Sequence, residues 1–181
     1  MESRPGKGTD DLKSRYPGKF APEDEIFASI HRGDRIFIST GCGEPQYLVS
    51  ALIRYVESHP KAVFDAEVFH VWTLGVAPYT DDKFKQNFRH NSFFIGNDTR
   101  GAINRGAADY TPIFLSQVPG LLDRRMIPVD VALVQVSVPD EHGYVSLGVS
   151  VDIVKSAVAN ATTVIAQVNS RMPRVHGDGF V

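Results

Sequence analysis

Six consecutive residues, Gly41, Cys42, Gly43, Glu44, Pro45 and Gln46, gather a thiol, a carboxylate and two glycines. They follow a β-rich run, DRIFIST at 34–40, and precede a segment in which Tyr47, Leu48, Ala51, Leu52, Tyr55 and Val56 recur at helical spacing. A glycine loop that leads from a strand into a helix N-terminus presents unpaired backbone N–H groups and the positive end of a helix dipole. That setting suits a phosphate, a carboxylate or an oxyanion. It is not a dinucleotide fingerprint, because G-x-G-x-x-G needs glycine at 46 and the chain has Gln46. The competing reading is a tight turn that simply needs small residues. Cys42 is a candidate nucleophile, since a thiolate is stabilised near a helix N-terminus. No sequence signal places His31, His59, His70, His90, His142 or His176 beside it, and a buried cysteine is ordinarily inert. Glu44 is a candidate nucleophile or base, and equally an acid that favours the helix start.

Two further loops carry chemistry-bearing side chains. VPDEHGYVSLG at 138–148 follows an apolar run and holds Asp140, His142, Gly143 and Tyr144. NSRMPRVHGDG at 169–179 holds Asn169, Met172, Pro173, Arg174, His176, Gly177 and Asp178. Arg174 is suited to bidentate capture of a carboxylate, or is a surface arginine without a role. Asp140, His142, His176 and Asp178 are metal-ligand types, but D-x-H and H-x-D pairs are common by chance and no tight cluster fixes a geometry, so no metal is assigned. The expectation is a hairpin at 138–148 whose histidine and glycines line a site at strand ends.

Such loops need strands to carry them. The chain has 181 residues, 43% hydrophobic and 22% charged, enough for one core without disulfide or metal staples. Residues 1–20 lack apolar periodicity and read as a flexible leader, so the domain is expected over 21–181. Pro22 and the acids Glu23, Asp24 and Glu25 start a helix that Gly33 ends. Residues 63–73 read as a strand, 97–106 as a helix capped by Asn97 or Asp98, and 116–125 as a short helix. VDVALVQVSV at 129–138 and TTVIAQV at 162–168 read as buried strands, with a helix at 150–159 between them. Alternation of this kind predicts an α/β fold, a mostly parallel sheet flanked by helices with right-handed crossovers. The polar loop near the end is followed by Phe180 and Val181, where a new apolar segment begins; an α/β domain seldom ends there, so more protein is expected downstream.

Composition narrows the function. Nineteen basic against twenty-one acidic residues, a net charge of −2, give no footprint for nucleic acid. No apolar run approaches the ~20 residues of a membrane span. No signal-like N-terminus and a single cysteine point to the cytoplasm.

The blocks GCGEPQ, SFFIGNDTRGAINRGAADYTPIFLSQVP, DVALVQVSVPDEHGYVSLGVSVD and VIAQVNSRMPRVHGDGF together resemble the amino-terminal half of the acetyl-CoA hydrolase/transferase family. The resemblance runs from about Glu23 to the end and is nearest to 4-hydroxybutyrate CoA-transferase-like members. It implies a CoA-transferase-like α/β domain as the first of two. It implies transfer of CoA between a short-chain acyl-CoA and a small carboxylate through a glutamyl-CoA intermediate, with coenzyme A entering as substrate. The family glutamate belongs to the second half, and Glu44 does not correspond to it. No catalytic residue is therefore carried over to this chain. What carries over is the loop Gly41 to Gln46, as an oxyanion and substrate loop, with the stretch from Asn169 to Gly177, and His142, Gly143 and Tyr144, as borders of the cleft. Homo-oligomerisation is expected from an apolar interdomain face. Acyl-CoA hydrolysis on the same scaffold, a non-catalytic half-enzyme that pairs with a partner chain, and a sugar-phosphate isomerase known only by fold analogy stay open.

Overall fold

A computed structural model describes residues 7–75 and 77–181, with side chains from residue 11 onward. Strands β1 (Arg35–Ile38), β2 (Ala66–His70), β3 (Phe88–Ser92), β4 (Asp109–Tyr110), β5 (Val129–Val136) and β6 (Ala161–Val168) form one parallel sheet in the order β4-β3-β2-β1-β5-β6. β1 and β5 are the apolar runs at its centre, and both of their faces are covered. On one face, helices α2 (Glu23–Phe27) and α3 (Gln46–Ser58) pack Phe27, Leu52 and Val56 against Ile36, Val68 and Leu133. On the other, α5 (Val118–Asp123) and α6 (Val154–Asn160) bring Val118, Leu122, Val154 and Ala157 onto Phe37, Phe69, Ala132 and Val134. This is the parallel, doubly covered α/β architecture that the alternating pattern predicts.

Several expectations change. Six strands are present where four are legible. β3 is FRHNS, with Phe88 its single apolar residue; its inward positions are filled by His90 and Ser92, whose Nε2 and Oγ lie 2.7 Å apart. β6 is an edge strand, half exposed, with Val164 42% accessible, because only β5 pairs with it. The leader is not loose over its described part: α1 (Lys7–Arg15) and a 3-10 turn at Pro17–Lys19 precede the domain, and Leu12 is buried. One buried leucine is enough to seat a short helix, and a single apolar position leaves no periodicity to read. The remainder of the leader, residues 1–6, lies outside the described residues. Helix α4 (Asn97–Asn104) is capped by Gly96, not by Asn97 or Asp98, which lie inside its first turn.

The chain runs from β1 outward through β2, β3 and β4, then returns to place β5 on the other side of β1. A crevice opens beyond the carboxyl ends of β1 and β5, where connections diverge in opposite directions. That is the general place for a ligand on an open parallel sheet.

Candidate active site

The glycine loop fills this crevice. Gly41 has φ +57, a left-handed conformation that costs a residue with a Cβ roughly 1–2 kcal/mol. Its N–H donates to the Trp72 carbonyl at 2.9 Å, while Thr40 Oγ1 donates to the same carbonyl at 2.7 Å and accepts from the Trp72 N–H at 3.0 Å. The loop after β1 is thereby tied to the loop after β2. Inside the loop, the Gly43 N–H donates to the Thr40 carbonyl, the Glu44 N–H to that of Gly41 and the Gln46 N–H to that of Glu44. With these used, and Pro45 lacking an N–H, the Cys42 N–H is the loop's one free donor among the described residues.

Gly43 is required for a different reason from the one its position suggests. A Cβ there would lie 2.5 Å from Ser150 Cβ, so it faces inward onto the residue whose hydroxyl donates to the Thr40 carbonyl at 2.9 Å. Its φ is not in the left-handed region. The loop's second glycine serves packing, since a side chain there would point at Ser150 and Ser39.

Glu44 neither caps α3 nor reaches toward solvent; it is 5% exposed. Its Oε2 accepts from Thr73 Oγ1 at 2.6 Å and from the Gly75 N–H at 2.9 Å, while Oε1 is buried and has no hydrogen-bond partner. Burial, and to a smaller extent the Asp98 charge, push its pKa up, against the lowering effect of hydrogen bonds from Thr73 and from the Gly75 and Leu74 N–H groups. Cys42 is exposed and free, and no histidine hydrogen-bonds it. His70 and His90 stack 4.7 Å apart inside the sheet, and Tyr79 Oη lies 3.0 Å from His70 Nε2.

Two cavities lie at this end of the sheet, and the first of them borders the loop. One, of about 490 Å³, lies between Gly41, Cys42, Glu44, Gln46, Gln135 and Gln167 and is predominantly polar. The other, of about 420 Å³, is apolar and lies among Val71, Trp72, Phe93, Phe94 and Leu115. Gly96 must lack a side chain for that wall to form, since a Cβ would meet the Trp72 ring at 2.6 Å. Gln135 and Gln167 are pocket residues that motif reading misses. The signal is present nonetheless: each is a lone amide within an apolar run, and the two are register partners across β5 and β6. Gln167 Nε2 and Asn169 Nδ2 both donate to Gln135 Oε1, at 3.1 and 3.0 Å, so Asn169 joins the site through Gln135.

The remaining candidates gather elsewhere. The stretch 138–148 does fold back as a hairpin, with Ser137 N–H donating to Ser146 O and Asp140 N–H to Tyr144 O. Arg174 is engaged within this hairpin. Its guanidinium donates to Asp140 Oδ2 at 2.5 Å and to the Tyr144 carbonyl at 3.1 Å, and lies over the Phe180 ring. Although burial raises the Asp140 pKa, the Tyr144 and His142 N–H bonds and the Arg174 charge hold it below the usual value. Asp178 pairs with Lys155, and His142 lies by Glu141 on the surface, so the four metal-ligand types are not brought together. Met172 is buried against Gly148, and His176 packs edge-on to Phe180. None of His142, Gly143, Tyr144, Met172, Pro173, Arg174, His176 or Gly177 lines the pocket beside the glycine loop.

Comparison with known proteins decides the family. The model of the acetyl-CoA hydrolase/transferase N-terminal domain matches residues 6–181. The chain belongs to this family. A 4-hydroxybutyrate coenzyme A transferase of Clostridium kluyveri is 41% identical over 166 residues, covering 92% of this chain and 38% of the relative. A succinyl-CoA:acetate/propanoyl-CoA:succinate CoA transferase of Fasciola hepatica is 41% identical over 170 residues, 94% of this chain and 35% of the relative. Among solved structures, RipA from Yersinia pestis superposes with TM-score 0.82 at 27% identity, over 94% of this chain and 41% of RipA. A 4-hydroxybutyrate CoA-transferase from Porphyromonas gingivalis gives 0.72 at 25% identity, over 94% of this chain and 38% of that structure. The chain thus spans little more than a third of the curated relatives it matches, and the fold is that of CoA-transferase-family structures. The family is one of enzymes that act on CoA thioesters. Among the described residues, no helix is long and apolar enough to cross a membrane.

Proposed function

We propose that this chain is the substrate-side domain of a CoA transferase that moves CoA between a short-chain acyl-CoA and a small carboxylate. The nucleophile is a glutamate supplied by a second domain. Its carboxylate attacks the thioester carbonyl and expels CoA thiolate, giving a mixed anhydride. The thiolate then attacks the glutamyl carbonyl and releases the acyl carboxylate, leaving a glutamyl-CoA thioester. An acceptor carboxylate repeats these steps in reverse and leaves as the new acyl-CoA. Each tetrahedral intermediate develops an oxyanion. The unpartnered Cys42 N–H is this chain's donor toward it, held in place by the Gly41–Trp72 and Thr40–Trp72 bonds.

The observation that carries the reading is the free Cys42 N–H at the carboxyl ends of β1 and β5, beside a polar pocket large enough for a short acid. The exposed Phe94, Phe114 and Leu115, beside the apolar cavity, are the surface that the second domain or a second copy would cover. The test mixes the purified chain with acetyl-CoA and a short-chain acid, alone and with the C-terminal portion of the Clostridium kluyveri relative supplied. New acyl-CoA is followed by chromatography. Turnover only in the reconstituted mixture supports the proposal; free CoA without a new thioester marks hydrolysis. Robust transfer by the chain alone overturns the two-domain assignment, and no transfer in either mixture overturns the function.

A further inference from the structure

Resting on the reading above, in which the Cys42 N–H faces the acyl oxygen, we propose that the side-chain amide of Gln135 is a second donor to that same oxygen, and that Gln167 and Asn169 are positioning residues that aim it. Cys42 and Gln135 line one pocket of about 490 Å³. Strand register explains why. β1 and β5 pair in parallel with Ile38 beside Leu133, so two residues further on Gln135 comes level with Thr40, at the entry to the glycine loop and about one strand spacing, ~4.8 Å, away. Alternation along the strand puts Gln135 on the face of Leu133, which is the face that α3 covers. The amide is held in one orientation. Leu48, in the first turn of α3, donates its N–H to Gln167 Oε1 at 3.4 Å, which sets Gln167 with its nitrogen toward Gln135. Gln167 Nε2 and Asn169 Nδ2 then converge on Gln135 Oε1 at 3.1 and 3.0 Å. With that oxygen doubly occupied, Nε2 points away from both neighbours, and neither of its hydrogens has a partner among the described residues. Gln135 is half-buried, so the amide is braced from behind and open in front.

Two neutral donors from neighbouring strands suit an oxygen whose charge changes during the reaction. The oxygen on the acyl carbon is a thioester carbonyl, then an oxyanion, then one oxygen of the released carboxylate. Oriented N–H groups serve the oxyanion best, whereas a lysine or arginine, of which the lining has none, would also hold the product carboxylate back. Glu44 is the one acid in that lining, and its charge is turned aside. Its Oε2 accepts from Thr73 and Gly75, its Oε1 is buried, and burial favours its neutral form.

The test titrates the 181-residue chain with butyrate under 1H–15N NMR and follows transfer in the reconstituted mixture described above. The Gln135 side-chain amide and the Cys42 backbone amide should shift together, with one dissociation constant. Gln135→Glu keeps an oxygen that accepts from Gln167 and Asn169 but replaces the donor by an acceptor, and it should bind butyrate at least about tenfold more weakly. Gln135→Met, uncharged and of similar length, is the second variant. It should lower kcat about 100-fold, as loss of an oxyanion donor does, while KM for the acid changes far less. Asn169→Ala should lower kcat about threefold by itself and no further on top of Gln135→Met, because Asn169 acts only through the amide. A shift at Cys42 without one at Gln135, full transfer by Gln135→Met, or additive losses with Asn169→Ala overturns the proposal and leaves CoA transfer standing. The expected paired shifts without transfer by the reconstituted wild type overturn the functional reading and leave the two-donor site standing.

Discussion

Replacing Gly43 by alanine tests whether the loop is held from behind. The added Cβ would begin 2.5 Å from Ser150 Cβ, whereas carbon atoms settle at about 3.5–4.0 Å. Something must therefore move by about 1 Å, and neither carbon is the far end of a flexible side chain. Overpacking of this kind costs about 1–3 kcal/mol. The movement also strains the 2.9 Å bond from Ser150 Oγ to the Thr40 carbonyl, worth about 1 kcal/mol. A loss of about 2–3 kcal/mol is expected, lowering Tm by about 4–12 °C in a chain of this size. Urea unfolding of the wild type, Gly43→Ala, Ser150→Gly and the double variant forms a cycle. The coupling energy should exceed about 1 kcal/mol in the direction of rescue, because Ser150→Gly removes the opposing carbon. Gly41→Ala is the control: its Cβ would meet only Trp72, at 4.0 Å, so its cost of about 1–2 kcal/mol comes from φ and should not couple to position 150. A Gly43→Ala cost below about 0.5 kcal/mol, or additivity with Ser150→Gly, would refute the packing argument and return Gly43 to the substrate side of the loop.

Cys42→Ala should keep most of the CoA-transfer activity of the reconstituted enzyme, since only the backbone N–H of that residue is used; a loss of several orders of magnitude with the fold intact would revive the thiol as nucleophile. His90 has its pKa lowered by burial from 6.5 to about 4, so the folded protein binds fewer protons than the unfolded chain between those values. Its neutral ring therefore contributes stability above pH 6.5 that declines as pH falls to about 4, by about 3 kcal/mol, and His90→Gln should flatten the pH dependence of urea unfolding over that window. Arg174→Gln should loosen the 138–148 hairpin, read as faster amide exchange at Tyr144 and Val145, while leaving ligand shifts at Gln135 unchanged. Equal loss of ligand shifts would place Arg174 back in the site.

The architecture was legible where apolar runs are long. VDVALVQV and RIFI announce central strands because both faces of a parallel strand must be apolar. β3 escaped because a buried His90–Ser92 pair replaces apolar side chains, and hydrogen bonding inside a core leaves no hydrophobic period to read. The glycine loop is legible between strand and helix, since its composition is local. Its internal logic was not legible: that Gly41 rather than Gly43 is left-handed, and that Gly43 meets Ser150, depends on residues more than a hundred positions apart. Arg174 and Asp140 likewise looked like separate functional candidates. Only the hairpin's closure onto the 169–179 loop reveals that each satisfies the other.

The strand order also sets the tempo of assembly. β1 meets β2 across a short connection, with Ile36 beside Val68, but meets β5 only with Val131 on its other side. Loop-closure entropy rises with the length spanned, so the β1–β2–β3 half can condense before β5 and β6 arrive. The crevice is the seam between an early half and a late one. Bonds that stitch it, such as Ser39 N–H to Leu133 O at 2.9 Å and Ser150 Oγ to Thr40 O, close long loops and are expected to form late. Substitutions along this seam should therefore hasten unfolding and leave the folding rate nearly unchanged, so their effect should be read in how long the native state persists.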